Sequence, residues 1–257
     1  MKPKIEDVVR EIAHLPQNWH GAGTISHLVL ETIVQYAENQ GEIERSAETG
    51  SGKTTLLLSH LSRCHTVFAC DFGNSIANVR ESSLFRGEVV AFVEGPTQLT
   101  LPNFTFDAPF DLVLLDGPHG YPFPDLEYYY FYPHLKEGGL LLVDDIQIPS
   151  IRRMFEIIAA DDMFELLETV DNMAFFRRTA APLFSPVGDN WWIQGYNKAA
   201  YEEMIKVEPT PERQIAPLQE CPQPSASAMF MRRLVRYIPG FLKAIVPRTV
   251  KRRLMGK

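Results

Sequence analysis

Cysteine is scarce in this sequence, and no long apolar run occurs in it. The 257 residues include three cysteines, Cys64, Cys70 and Cys221, an odd number whose spacing does not match that of zinc ligands. Neither a disulfide framework nor a structural zinc site is indicated, and we expect a reducing compartment. Residues 1–7 lack the apolar stretch of a signal peptide, and no later segment has the length needed to cross a bilayer. The cytoplasm is therefore the expected location.

Basic residues are sparse over most of the chain and concentrated at its end. The formal net charge is −7, whereas residues 229–257 contain nine Lys or Arg and no acid, which leaves −16 on residues 1–228. An acidic body binds polyanions poorly, so nucleic acid is not expected as a partner. The basic amphipathic tail is expected to bind one of two acidic surfaces. The first is an anionic membrane, on which the protein would be peripheral. The second is the acidic body, either of this chain or of a second subunit in a homo-oligomer.

Segments with strand character alternate with segments of helical spacing. Strands are predicted at 43–47, 66–71, 88–94, 110–116 and 138–144, and helices at 5–15, 26–38, 54–63, 76–82, 151–160 and within 121–134. Segments 164–170 and 173–178 are expected to form an antiparallel closing pair. This alternation predicts an α/β protein with a Rossmann-like, doubly wound, mostly parallel sheet that has an antiparallel strand at its C-terminal edge. Ligands of such sheets bind beyond the carboxyl ends of the strands.

Four regions follow from these patterns. They are N-terminal helices that cover the site at 1–40, the Rossmann-like core at 41–180, an irregular extension or linker at 181–228, and the basic amphipathic tail at 229–257. The extension is rich in proline, glutamine and serine, which is typical of a linker or of a strap on the surface.

A glycine-bearing loop at residues 44–55 follows the first predicted strand and can be interpreted in two ways. Ala47, Gly52, Lys53 and Thr54 nearly match a P-loop, in which backbone N–H groups and the lysine hold nucleotide phosphates. A phosphate cradle would need the lysine aimed at phosphates and the threonine at magnesium. However, the first position of the pattern is Ala47 rather than a glycine, and Glu48 after it would place a carboxylate inside the cradle.

The second interpretation is the first ligand-binding turn of a Rossmann-like sheet. Glu48, Gly50 and Gly52 would then place an acid and two glycines where the backbone passes close to a ligand. Asp71 supports this interpretation, because it ends the next predicted strand about 20 residues later, where a carboxylate reaches ribose hydroxyls. A full Gly-x-Gly-x-x-Gly is not present, since Thr55 occupies its last position, which disfavours an NAD-dependent enzyme.

Five pieces of the sequence together carry a family resemblance. They are the glycine loop at 47–52, Asp71, Glu-Gly-Pro-Thr-Gln at 94–98, the apolar strand ending in Asp-Gly at 110–117, and Leu-Lys-Glu-Gly-Gly with its apolar strand and two aspartates at 135–145. In this order and spacing, over residues 20–180, they resemble the class I S-adenosylmethionine-dependent methyltransferases. The resemblance implies that the loop residues line the methionine part of the cofactor, that Asp71 holds the ribose, and that the 94–98 segment lies near the adenine. The implied cofactor-binding residues are Glu48, Thr49, Gly50, Ser51, Gly52, Asp71, Gly95, Pro96, Thr97, Gln98 and Asp116, the last near the methyl-donating end.

Acidic residues and a histidine gather at two predicted strand ends. Asp116, His119, Asp144 and Asp145 would be neighbours there, and clustered carboxylates favour a divalent cation, which offsets their mutual repulsion. The set is similar to that of metal-dependent O-methyltransferases acting on catechols, caffeoyl-CoA and macrolide sugars, although the sugar enzymes have Glu-Asp where this chain has Asp-Asp. We expect Asp116, Asp144 and Asp145 to be Mg²⁺ ligands and His119 to be the general base, since imidazole has a suitable intrinsic pKa.

The sequence is thus similar to S-adenosylmethionine-dependent enzymes that methylate an oxygen of a small molecule, such as a sugar or a secondary metabolite. A P-loop ATPase or kinase and a non-catalytic S-adenosylmethionine-binding protein are the alternatives. Three aromatic segments, 19–24, 121–130 and 191–196, are candidates for contact with the acceptor, because aromatic rings suit sugars and planar molecules.

Overall fold

The computed structural model describes residues 4–16, 19, 25–185, 187 and 189–206. The helices are α1 (Ile5–His14), α2 (His27–Gln40), α3 (Lys53–Leu61), α4 (Ser75–Glu81), α5 (Thr97–Thr100), α6 (Phe123–Phe131), α7 (Pro149–Ala159) and α8 (Gly195–Lys206). The strands are β1 (Ile43–Thr49), β2 (Ser62–Ala69), β3 (Val90–Glu94), β4 (Phe110–Leu115), β5 (Leu135–Val143), β6 (Phe164–Val170) and β7 (Met173–Arg178). The alternation of strands and helices predicted for the core is confirmed.

The seven strands form one sheet in the order β3-β2-β1-β4-β5-β7-β6. Neighbouring strands are parallel except where β7 pairs with β5 and with β6. The predicted doubly wound, mostly parallel sheet is confirmed, and its reversed strand lies one position in from the edge. The chain leaves β1 for β2 on one side and later returns to β4 on the other side. The carboxyl ends of β1 and β4 therefore flank a topological switch point, where ligands of open α/β sheets bind.

Apolar side chains cover both faces of the sheet. On one face, Ile12 of α1, Leu30 of α2 and Leu56 of α3 belong to one buried cluster with residues of β4 and β5. On the other face, Phe131 of α6 and Phe155 of α7 belong to a second cluster. All six residues of β4 are buried, as expected for a strand that is covered on both sides. This double cover explains the nearly unbroken apolar sequence of that strand.

Two strands begin earlier than the sequence predicts. β2 begins at Ser62, which pairs with Ile43 of β1, and its first half carries polar side chains that the apolar pattern does not mark. β5 begins at Leu135, which pairs with Phe110 of β4, and the register is irregular between that pair and the next. Pairing with a neighbouring strand therefore extends both strands beyond their apolar runs.

The ends of the core show one helix cap and one correction. Ser26 caps α2, since its hydroxyl accepts a hydrogen bond from the backbone N–H of Val29 at 3.2 Å. The extension predicted to be irregular at 181–228 instead contains α8, which has no strong apolar periodicity. The tail at 229–257 lies outside the described residues, and the division into four regions stays a prediction. No helix in the described part of the chain is long and apolar enough to cross a membrane.

Candidate active site

A cavity of about 1180 Å³ opens at the carboxyl ends of β1, β2, β3, β4 and β5. Small-molecule pockets usually occupy about 300–1,000 Å³, so this cavity has room for a nucleoside and part of a second molecule. Its walls come from α2, from the start of α6, from the loops after the five strands with the start of α3, and from the turn between β6 and β7. The sequence-predicted site residues in these walls are Gly50, Ser51, Gly52, Gly95, Pro96, Thr97, Gln98, Asp116, His119, Asp144 and Asp145.

Gly50 holds the loop after β1 against the end of β4. Its φ is +85°, and a Cβ at this position would lie 2.2 Å from the backbone oxygen of Asp116. Only glycine allows this close approach, because any larger residue would push the two loops apart. The loop therefore forms a backbone-lined cradle of the kind that a nucleoside cofactor requires.

Glu48 lies beneath this loop and not in the cavity wall. Its side chain is fully buried, accepts a hydrogen bond from the hydroxyl of Thr55 and lies 3.2 Å from Nε2 of His65. The Thr55 hydroxyl in turn accepts a hydrogen bond from the backbone N–H of Gly52 at 2.9 Å. The expected place of Glu48 in the lining is thus corrected, since the carboxylate supports the loop through Thr55.

Thr49 is also buried outside the cavity wall, where it meets a carboxylate that the sequence analysis missed. Its hydroxyl accepts a hydrogen bond from the backbone N–H of Asp116 at 3.0 Å and donates one to Glu127 at 2.7 Å. A Cβ at Gly117 would lie 2.0 Å from a Glu127 oxygen, so this carboxylate packs directly behind the end of β4. Burial raises the pKa of Glu127 to about 7. An acid within the aromatic segment of α6 was the signal in the sequence.

Asp71 lies at the end of β2 as predicted, but its side chain caps a helix. Its carboxylate accepts hydrogen bonds from the backbone N–H groups of Ile76 at 2.8 Å and Ala77 at 3.4 Å. The neighbours Cys70 and Phe72 line the cavity, whereas Asp71 does not. Its binding of a ribose stays a prediction.

The predicted acid cluster is present, with His119 as a member. Asp116, His119 and Asp145 each place one possible ligand atom within 4.8 Å of the others. Nε2 of His119 lies 3.1 Å from a carboxylate oxygen of Asp145 and 3.8 Å from one of Asp116. Asp144 lines the cavity beside them, but the group of three does not include it, and its carboxylate accepts a hydrogen bond from the backbone N–H of Asp145.

The crowding of these acids changes their protonation. Burial raises the pKa of Asp116 to about 6, and the neighbouring charge of Asp145 adds to this rise. Burial, with the charge of Asp116, raises the pKa of Asp144 to about 7. The carboxylate of Asp116 raises the pKa of His119. Two carboxylates and an imidazole that meet at such a site fit a divalent cation, which would stabilise the charged acids.

The P-loop interpretation has no support in this geometry. Lys53 is 5% exposed, and its ammonium group donates a hydrogen bond to the backbone oxygen of Leu15 at 3.0 Å. Four aspartates line the same cavity, Asp116, Asp144, Asp145 and Asp171. A phosphate chain would bring several negative charges into an acidic cavity, which is unfavourable.

The aromatic segments contribute little to the cavity wall. Tyr121 is 78% exposed and does not line the cavity, while Phe123 at the start of α6 does. Trp191 and Trp192 are exposed and lie outside the wall. Of the 19–24 segment only Trp19 falls within the described residues. The predicted contacts with an acceptor therefore stay predictions.

Comparisons with known proteins agree on the kind of domain. Residues 47–146 match the model of a family described as "Methyltransferase domain". A putative O-methyltransferase from Klebsiella pneumoniae has a similar structure, with a TM-score of 0.55 and 16% identity over 70% of this chain and 92% of that one. The O-methyltransferase TomG from Streptomyces achromogenes, involved in tomaymycin synthesis and solved with S-adenosylmethionine, has a TM-score of 0.54 and 16% identity over 70% of this chain and 92% of that one. An O-methyltransferase from Bacillus cereus, in complex with S-adenosylhomocysteine, has a TM-score of 0.50 and 20% identity over 70% of this chain and 93% of that one. No curated protein matched the chain.

Proposed function

We propose that this chain is a class I S-adenosylmethionine-dependent methyltransferase that transfers a methyl group to an oxygen of a small molecule, with His119 as the general base. The observation that carries the proposal is the group of Asp116, His119 and Asp145 in the wall of the cavity, beside the glycine cradle. The similar structures include O-methyltransferases that carry S-adenosylmethionine or S-adenosylhomocysteine, which supports the choice of oxygen as the acceptor atom.

The cofactor supplies an electrophilic methyl group on a sulfonium. The protein must hold the hydroxyl of the acceptor in line with that methyl group and remove the hydroxyl proton. His119 can take the hydroxyl proton when its ring is neutral. Because the Asp116 carboxylate raises the pKa of His119, the ring stays protonated to a higher pH than an ordinary histidine. Turnover should therefore rise with pH through that raised pKa and level off above it.

A Mg²⁺ site is the second part of the proposal. Mg²⁺ usually keeps several waters and takes one or two carboxylates, so Asp116 and Asp145 would suffice and His119 would remain free as the base. A cation there would lower the pKa of the acceptor hydroxyl and fix its approach. Asp144, which the sequence predicts as a third ligand, would lie beside these two carboxylates without binding the cation directly.

The test is a panel of hydroxylated acceptors, sugars and catechols, with release of S-adenosylhomocysteine as the measurement. His119→Ala should lower kcat by about 10²–10⁴-fold on any acceptor that the enzyme uses. The exposed His14 lies on α1 outside the cavity, and His14→Ala is the matched control. Unchanged turnover after loss of His119 would remove it as the base. Full activity after exhaustive chelation would remove the metal and leave the rest of the proposal in place.

The location and the partner of the tail belong to the proposal as well. We expect a cytoplasmic protein whose basic segment 229–257 docks on the acidic body or on a second subunit, since unlike charges attract. Co-sedimentation of the full chain and a 1–228 truncation with anionic vesicles separates the alternatives. Pelleting of the full chain alone would place it on membranes, and equal behaviour of the two supports docking.

A further inference from the structure

Lys53 is a buried lysine in the wall of the cavity. It is the first residue of α3, it follows the glycine cradle, and 5% of its surface is exposed. Lysine is almost never buried this deeply unless a partner compensates its charge. The ammonium group has three N–H donors, and the structure gives it one acceptor, the backbone oxygen of Leu15 at 3.0 Å.

No carboxylate among the described residues forms an ion pair with this lysine. Burial lowers the pKa of Lys53, and no neighbouring charge contributes to the shift. Among the described residues, the Leu15 carbonyl thus offsets only part of the cost of burying the ammonium. A negatively charged ligand group in the cavity would offset it and use the remaining N–H donors.

The charges of the cavity wall are strongly polarised. Among the described residues that line the cavity, Lys53 is the single lysine or arginine, and four are aspartates. Three of them, Asp116, Asp144 and Asp145, follow β4 and β5, whereas Lys53 follows β1. The N-terminus of α3 adds the partial positive charge of its backbone N–H groups at the same place as the lysine. A ligand that carries both signs of charge therefore has one favourable orientation in this cavity.

We propose that Lys53 binds the α-carboxylate at the methionine end of the cofactor, which directs the sulfonium toward the aspartates. This inference rests on the proposed function, because it takes S-adenosylmethionine as the cofactor. The carboxylate is repelled by the aspartates and attracted by the one fixed cation, while the positively charged sulfonium has the opposite preference. The lysine thereby fixes the end of the cofactor that lies farthest from its adenine.

The experiment compares two ligands that differ in the amino-acid part. S-adenosylhomocysteine carries the carboxylate, whereas 5′-methylthioadenosine keeps the nucleoside and lacks the carboxylate and the amine. Lys53→Met removes the charge and keeps the length of the side chain. Titration calorimetry should give a Kd for S-adenosylhomocysteine that rises about 10- to 100-fold, the effect of one lost charge-assisted hydrogen bond or ion pair. The Kd for 5′-methylthioadenosine should change by less than about threefold. Lys198→Met, at an exposed position of α8 outside the cavity, is the matched control.

The other outcomes contradict either the inference about Lys53 or the proposed function. Equal losses for both ligands would mean that Lys53 only holds the loop against Leu15, and the inference would be wrong. Unchanged binding of S-adenosylhomocysteine would also overturn it. If the unaltered protein bound neither ligand, the cofactor in the proposed function would itself be wrong. Retained binding of 5′-methylthioadenosine by Lys53→Met demonstrates that the variant has folded with its nucleoside site intact.

Discussion

Glu127 is a buried acid whose protonation should make the stability of the protein depend on pH. Its side chain is 1% exposed, and the hydroxyl of Thr49 donates a hydrogen bond to it at 2.7 Å. Burial raises its pKa from 4.5 to about 7. The folded state therefore keeps this proton between pH 4.5 and pH 7, where the unfolded state has released it. A state that binds more protons loses stability as the pH rises, so folding weakens across this window.

The size of the effect follows from the shift. Each pKa unit corresponds to about 1.4 kcal/mol, so the rise from 4.5 to about 7 amounts to about 3 kcal/mol once the pH exceeds 7. Glu127→Gln keeps the shape and the acceptor for Thr49 but never carries a charge. Near pH 4.5 the variant and the unaltered protein should have similar unfolding free energies. At pH 8 the variant should be more stable, by up to about 3 kcal/mol.

Urea denaturation of both proteins at pH 4.5 and pH 8 measures this difference. Glu165 is exposed on β6, and Glu165→Gln should show the same difference from the unaltered protein at both pH values. Comparison between variants cancels the contribution of the other titrating acids. A stability difference for Glu127→Gln that stays constant from pH 4.5 to pH 8 would refute the reasoning, because it would mean that burial does not hold the proton on Glu127.

Three further predictions follow from close contacts in the structure. Gly50→Ala places a Cβ 2.2 Å from a backbone oxygen at a positive φ, so calorimetry should detect no binding of S-adenosylhomocysteine; normal binding would contradict the close approach. Asp145→Asn should weaken Mn²⁺ binding more than tenfold and Asp144→Asn less, as measured by metal titration. An equally large loss for Asp144→Asn would restore the ligand set expected from the sequence. Arg178→Gln removes a buried guanidinium that donates hydrogen bonds to three backbone oxygens. In denaturation experiments it should lower the unfolding free energy by about 3 kcal/mol. The neighbouring Arg177 is partly exposed, and Arg177→Gln should lower that free energy by less than about 1 kcal/mol.

The strands of the core and the direction of the closing pair could be predicted because their signals are local. β4 is apolar at nearly every position, which identifies a strand covered on both faces without knowledge of the covering helices. The short connection between β6 and β7 predicted an antiparallel pair, and their pairing is antiparallel. The start of β2 could not be predicted in this way, because its first residues are polar and are held by pairing with β1.

The position of each acid around the site was harder to predict than its presence. Glu48, Asp71 and Glu127 are all carboxylates near strand ends, yet one supports the glycine loop, one caps a helix and one lies behind the end of β4. The sequence states which residue follows a strand, but the direction of its side chain depends on the packing of elements that are distant in the chain. Glu127 could be noticed only as an acid inside an aromatic segment, with no indication of depth.

The same lysine that made the glycine loop similar to a phosphate cradle has a different use in a cavity lined by aspartates. A phosphate site needs positive charge along its length, because the non-bridging oxygens of every phosphate in its ligand carry negative charge. Here Lys53 follows β1 in the cavity wall, whereas Asp116, Asp144 and Asp145 follow β4 and β5. Such a distribution stabilises a ligand whose own charges are separated, with a carboxylate at one point and a cation at another. Under this proposal, recognition of the cofactor depends on the arrangement of charge around the loop more than on the loop motif itself.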